Sequence, residues 1–154
     1  MSFRQGVRLG IDVGRARIGV ARSDAGGLVV VPIATVRRGT GDLAELVRLA
    51  DEYDVLELVV GLPLSFSGAH TASTVDALEF AQTLAQATNR TVRLVDERLS
   101  TVSAQRSLHE AGKNVRNSRA VVDQVAATII LQHALDAEQS GGNPPGELII
   151  RNEG

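Results

Sequence analysis

Val7-Arg8-Leu9-Gly10-Ile11-Asp12-Val13-Gly14-Arg15-Ala16-Arg17-Ile18-Gly19-Val20-Ala21-Arg22-Ser23 is the stretch from which the fold is read. Val7, Leu9, Ile11 and Val13 alternate with Arg8, Gly10 and Asp12, the period of a strand with one apolar face and one face that carries a carboxylate. Gly14 to Arg17 reads as a tight turn and Arg17 to Ser23 as a second strand. Gly26-Gly27 turns the chain into a third, Leu28 to Val36. Three short-linked strands in succession make an antiparallel meander.

Beyond the meander the apolar period lengthens. Asp42 can cap a helix with Glu45 three residues on, and Leu43, Leu46, Val47 and Ala50 supply its apolar stripe. Leu56 to Val60 is a short buried strand, ended by Gly61-Leu62-Pro63 and the polar loop Ser65 to Ala72. A second helix is expected from about Ser73 to Thr88, then a fifth strand from Thr91 to Val95. Ser100 can cap a third helix that stops near Gly112, and Ser118 a fourth that runs to about Ala137. The order βββαβαβα predicts an α/β protein, a mixed five-stranded sheet with helices on both faces, which is the order of the ribonuclease-H-like fold. Residues 1–138 are expected to form this one domain. Residues 139–154, Gly/Pro-rich from Gln139 to Pro145, are expected to form a flexible tail, in which Glu147 to Arg151 can add an edge strand.

Composition narrows the function. At 154 residues the chain buries roughly 70% of its unfolded surface and needs no disulfide or structural metal to fold. Without Cys there is no thiolate zinc site and no cysteine nucleophile. The run Val121 to Leu135 is interrupted by Asp123, Gln124, Thr128, Gln132 and His133, so it does not span a bilayer, and the first residues lack the apolar core of a signal peptide. A cytoplasmic protein is expected, with no membrane partner. Fifteen of the sixteen basic residues are Arg, the side chain suited to bidentate phosphate contact, and they crowd residues 1–22 and 90–119, while residues 42–57 carry six acids. On charge alone, solvated faces explain this equally well.

Three carboxylates stand out. Asp12 lies mid-strand on the face opposite the apolar one, where a charge needs a partner; Arg8, four residues back, offers a plain salt bridge. Asp96-Glu97-Arg98 closes the fifth strand, at the carboxyl end where α/β sheets hold ligands, although a solvated turn has the same composition. Asp123 sits among Val121, Val122, Val125 and Ala126 and borders the stripe of Ala127 and Ile130; a first-turn position near the helix dipole would also account for it. Together, from the first strand, the end of the last and a C-terminal helix, they can converge beside the sheet. Such hard oxygen donors suit Mg²⁺ or Mn²⁺, and two ions roughly 3.5–4 Å apart activate water and stabilise the leaving oxygen in phosphodiester hydrolysis. Asp12 is then the bridging ligand, and Arg15, Arg17 and Arg98 neutralise phosphate. His70, His109 and His133 are too scattered for a metal triad. Gly10, Gly14 and Gly19 open no helix and precede no Lys-Ser or Lys-Thr, so they make no phosphate loop. Four aromatic residues give little platform for stacked bases, so nucleic-acid contacts should be mainly to backbone phosphate.

In order along the chain stand Gly10-Ile-Asp-Val-Gly14, Arg17-Ile-Gly-Val-Ala21 with Ser23-Asp24, Gly61-Leu-Pro63, Asp96-Glu-Arg-Leu-Ser-Thr101, and Val122-Asp-Gln-Val-Ala-Ala127 with Ile130-Leu-Gln132. This combination closely resembles the YqgF family, also called RuvX, over about residues 7 to 137. The resemblance implies a ribonuclease-H-like fold and a nuclease that processes the 5′ end of precursor 16S ribosomal RNA, with Holliday-junction resolution as the older proposal. The family's acidic triad falls on Asp12, Glu97 and Asp123. Many relatives carry lysines just before the last of these, where this chain has Ser118-Arg119-Ala120, so Arg116 and Arg119 are the substitutes for phosphate contact.

The expected function is therefore a metal-dependent endonuclease acting on structured RNA, as a monomer or homodimer. A junction resolvase acting on branched DNA keeps the chemistry but needs a dimer that cuts both strands. A non-catalytic nucleic-acid-binding module would bind without any need for the three carboxylates. A relative of actin-like ATPases is disfavoured, because 154 residues supply no second lobe to close over a nucleotide.

Overall fold

The computed structural model describes residues 3–65, 67–97 and 118–150, with side chains of the last stretch from residue 123 onward. Its strands are β1 (Arg8–Val13), β2 (Arg17–Ser23), β3 (Val30–Arg37), β4 (Glu57–Leu62), β5 (Thr91–Asp96) and β6 (Glu147–Leu148). Its helices are α1 (Asp42–Glu52), α2 (Ala72–Ala87) and α3 (Ser118–Gly141). The expected helix from Ser100 to Gly112 and the loop that follows it lie outside the described residues.

The strands form one sheet in the order β3-β2-β1-β4-β5-β6. The meander is antiparallel, β1 to β4 and β4 to β5 are parallel, and the sheet is mixed as the element order requires. Among the described residues it has six strands, not five, because Glu147 and Leu148 pair with Leu94 and Arg93 at the edge of β5.

Both faces are covered. Leu9, Ile11, Val20, Leu58 and Val60 pack with Leu46 and Leu49 of α1 and with Ala77, Phe80, Ala81 and Leu84 of α2. On the opposite face Val59 and Val95 pack with Ala126, Ile130, Leu131, Ala134 and Leu135 of α3. The alternation in β1 thus separates two cores, and Arg8, Gly10 and Asp12 belong to the α3 face.

Local detail departs from expectation at the start of α1. Gly41, in the left-handed region at φ 92°, takes the cap position that the sequence assigned to Asp42. Asp42 instead accepts hydrogen bonds from the Gly39 and Leu43 amides, at 2.9 and 2.7 Å. α2 carries a true capping box, in which the Thr71 hydroxyl accepts from the Thr74 amide and the Thr74 hydroxyl accepts from the Thr71 amide. No helix among the described residues is long and apolar enough to cross a membrane.

Candidate active site

Asp12 is the next-to-last residue of β1 and is 2% exposed. In the β1–β2 ladder it pairs with Gly19, so the two residues share a face. That face is pressed by α3: a Cβ placed on Gly19 would stand 1.9 Å from the backbone oxygen of Asp123. Two residues back on β1, a Cβ on Gly10 would stand 2.6 Å from Leu131 Cβ and 2.8 Å from the Ala127 oxygen. α3 therefore runs over β1 and β2 with its Asp123 end above Asp12. The helix begins at Ser118, so Asp123 lies in the second turn and not at the dipole-favoured start.

Glu97 follows β5 directly and is 3% exposed. Its carboxylate lies over Gly61 of β4, where a Cβ would meet Glu97 Oε1 at 2.6 Å and Ile130 Cδ1 of α3 at 2.5 Å. β4 is the parallel neighbour of β1, with Val60 beside Ile11, so Gly61 continues the ladder beside Asp12. Asp12, Glu97 and Asp123 are thus brought to one end and one face of the sheet. Gly19 of β2 lies beneath Asp123 and Gly61 of β4 beneath Glu97, while Gly10 of β1 admits α3 further along, at Ala127 and Leu131. In the sequence Gly10 and Gly19 read only as part of a phosphate loop that lacks its helix, and Gly61 as the end of a strand. Their real signal is Gly in a strand interior, which marks close approach of another backbone or side chain.

The salt bridge that Arg8 offered Asp12 does not form. Arg8 Nη2 reaches the Glu138 carboxylate instead, at 3.1 Å, at the other end of α3. Asp123 is held by Arg17, whose Nε donates to Oδ2 at 3.1 Å. Next to it, the Gln124 amide donates to the Thr35 hydroxyl of β3 at 2.8 Å, fixing this turn of α3 across the meander. The donors are hard oxygens. Among the described residues, however, no three His, Asp or Glu side chains stand at the spacing that one ion requires.

Arg15 is exposed in the β1–β2 turn at the same end of the sheet. Arg38 straps that turn from the far face: its Nη1 donates to the Gly14 carbonyl at 2.8 Å and to Asp76 of α2 at 2.9 Å, and its guanidinium lies over the Phe80 ring. The Arg38 hydrogen bonds hold the Asp76 carboxyl below the usual carboxylate range. Arg98 and Arg116 lie outside the described residues, and Arg119 is described only as backbone of α3. His70 is exposed and His133 half-buried on α3, while His109 lies outside the described residues.

This topology and its acidic end define a ribonuclease-H-like α/β protein. Among solved structures the chain resembles Thermus thermophilus RuvC in complex with a Holliday junction substrate, with a TM-score of 0.56 at 15% identity over 93% of this chain and 99% of that one. The same RuvC in a second structure gives 0.54 over the same shares. Residues 6–137 match the RuvX family, described as Holliday junction resolvase, and the chain belongs to that family. A protein of Clavibacter michiganensis named "Putative pre-16S rRNA nuclease" is 57% identical over 153 residues, 97% of this chain and 95% of its own. One of the same name in Leifsonia xyli is 58% identical over 150 residues, 96% of each chain.

Proposed function

We propose that this chain is a metal-dependent endonuclease that hydrolyses phosphodiester bonds in structured RNA, at the 5′ end of precursor 16S ribosomal RNA. What supports this reading is that Asp12, Glu97 and Asp123 lie at one end and on one face of the sheet, with Gly19 beneath Asp123 and Gly61 beneath Glu97. Family membership and the names of relatives support the nuclease chemistry and the RNA substrate. Asp12, Glu97 and Asp123 would hold Mg²⁺ or Mn²⁺, and such ions supply an activated water and stabilise the leaving oxygen. The chain's own residues do the positioning. Gly61 and Ile130 set the Glu97 carboxylate, Arg17 orients Asp123, and the strapped turn presents Arg15 to phosphate. Arg98, Arg116 and Arg119 are assigned to further phosphate contact by sequence. A substrate of this kind places the work in the cytoplasm.

Asp12→Asn removes charge without changing shape. It should abolish Mg²⁺-dependent cleavage of a precursor RNA and leave the circular dichroism spectrum unchanged; full activity in the variant refutes the assignment. The likeness to RuvC favours a second reading, resolution of branched DNA. Cleavage of a precursor RNA and of a four-way DNA junction by the same preparation separates the two, and paired cuts in the junction by a dimer would select the second.

A further inference from the structure

Thr35 of β3 lies opposite Gly19 and takes its hydrogen bond from Gln124 of α3. It therefore shares the face that carries Asp12 and Asp123. Arg37, two residues on, points to that same face, and in the β2–β3 ladder it is the direct partner of Arg17. Opposed residues of an antiparallel ladder hold their Cβ atoms about 4.5–5.5 Å apart, and like charges so placed repel. Four guanidiniums elsewhere, those of Arg38, Arg48, Arg90 and Arg93, each contact a carboxylate. At this place it does less. Arg17 gives Asp123 only its Nε, and the side chain of Arg37 is exposed and makes no hydrogen bond or ion pair among the described residues.

We propose that Arg17 and Arg37 form a two-guanidinium cradle for a backbone phosphate of the substrate RNA, on the β3 side of the carboxylates. This rests on the nuclease reading and deepens it by placing the substrate strand over β2 and β3. An anion between the two side chains removes their repulsion, and each planar guanidinium presents paired N–H groups to phosphate oxygens. The Arg17 Nη groups are left for this task while its Nε keeps hold of Asp123.

The test is binding of an RNA spanning the 5′ end of the 16S precursor, with EDTA present to prevent cleavage, over a series of salt concentrations. Loss of one phosphate contact lowers the slope of log K against log salt by about 0.7 for a single strand. Arg37→Gln should show that drop and weaker binding at moderate salt, while Arg37→Lys keeps the slope. In cleavage assays Arg37→Gln should raise KM and leave kcat unchanged. Its melting temperature should not fall, because the change relieves a like-charge pair. Arg48→Gln, on the exposed side of α1, should match the parent in affinity, salt slope and KM. An unchanged affinity and slope in Arg37→Gln overturns the cradle, as does weaker binding that accompanies a lowered melting temperature at unchanged slope. The readout is binding, so it stands apart from the Asp12→Asn cleavage test, whose failure would remove the nuclease reading and not the phosphate contact.

Discussion

Two glycines at the site make opposite demands. At Gly61 an added methyl would press on Glu97 Oε1 and Ile130 Cδ1, the far ends of flexible side chains. At Gly19 it would press on the backbone of Asp123, which moves only with the helix. Gly61→Ala should therefore displace the Glu97 carboxylate and cost activity more than stability. Misplacement by about 1 Å can reduce turnover roughly 100-fold. Gly19→Ala should cost stability first, about 1–3 kcal/mol for an overpacked contact. Urea denaturation and cleavage rates on the two variants, measured side by side, check the contrast; parental activity in Gly61→Ala would detach the Glu97 position from function. Asp12 and Asp123 stand out in the sequence because a charge amid apolar neighbours is conspicuous, and Glu97 because it closes a strand. The glycines do not, because a missing side chain announces neither which backbone approaches nor from where.

Elements carry the site to its place. The loop from Pro63 to Thr71 leaves β4 at the acidic end and is closed by its own contacts. The Ser65 hydroxyl accepts from the Ala69 amide at 3.0 Å, and Leu64 bridges to His70. It passes into α2 through the Thr71–Thr74 box, while the Thr74 hydroxyl donates back to the Pro63 carbonyl. The loop and the helix start are thus one unit. Thr71→Ala removes a side-chain cap and should cost about 1 kcal/mol, a fall in melting temperature of roughly 3 °C for a chain of this size. Calorimetry checks it; a fall of less than half a degree would show that the loop holds without the box. The periods of strand and helix gave the order of these elements and their faces, since a sheet sandwiched between helices must alternate apolar side chains on both sides. Ends were harder to read. The α1 cap fell to Gly41 because its left-handed backbone makes the turn that Asp42 then stabilises from inside the helix.

The whole molecule has two charged ends of opposite design. One holds the carboxylates. At the other, Arg4 bridges Glu57 and Glu138 at 2.8 Å each, Arg8 joins Glu138, and Arg93 joins Glu57 at 2.9 Å. Arg8, Glu57 and Glu138 are almost fully buried, and the Arg8 guanidinium stacks on the Phe3 ring. The cluster ties the N-terminal segment, β1, β4, β5 and the last turns of α3 into one body. No sequence reading could have found it, because its partners are 36 to 134 positions apart and each taken singly is an ordinary charged residue. Burial pushes the Glu138 carboxyl up, but hydrogen bonds from the Arg4 side chain and amide, with the charge of Arg8, outweigh it and hold the group below its usual range. A carboxyl depressed in the folded state stabilises it above the unfolded pKa, about 4.3, and that contribution is lost as pH falls through the folded value. Glu138→Gln leaves Arg8 buried without its carboxylate and should cost about 3–5 kcal/mol at pH 7. Below pH 4.3 the parent should lose stability faster than the variant, so the gap between them narrows with acid. Urea melts from pH 7 down to pH 3 measure both quantities. A gap that stays constant across that range would mean that Glu138 does not carry the charge that locks this end of the fold.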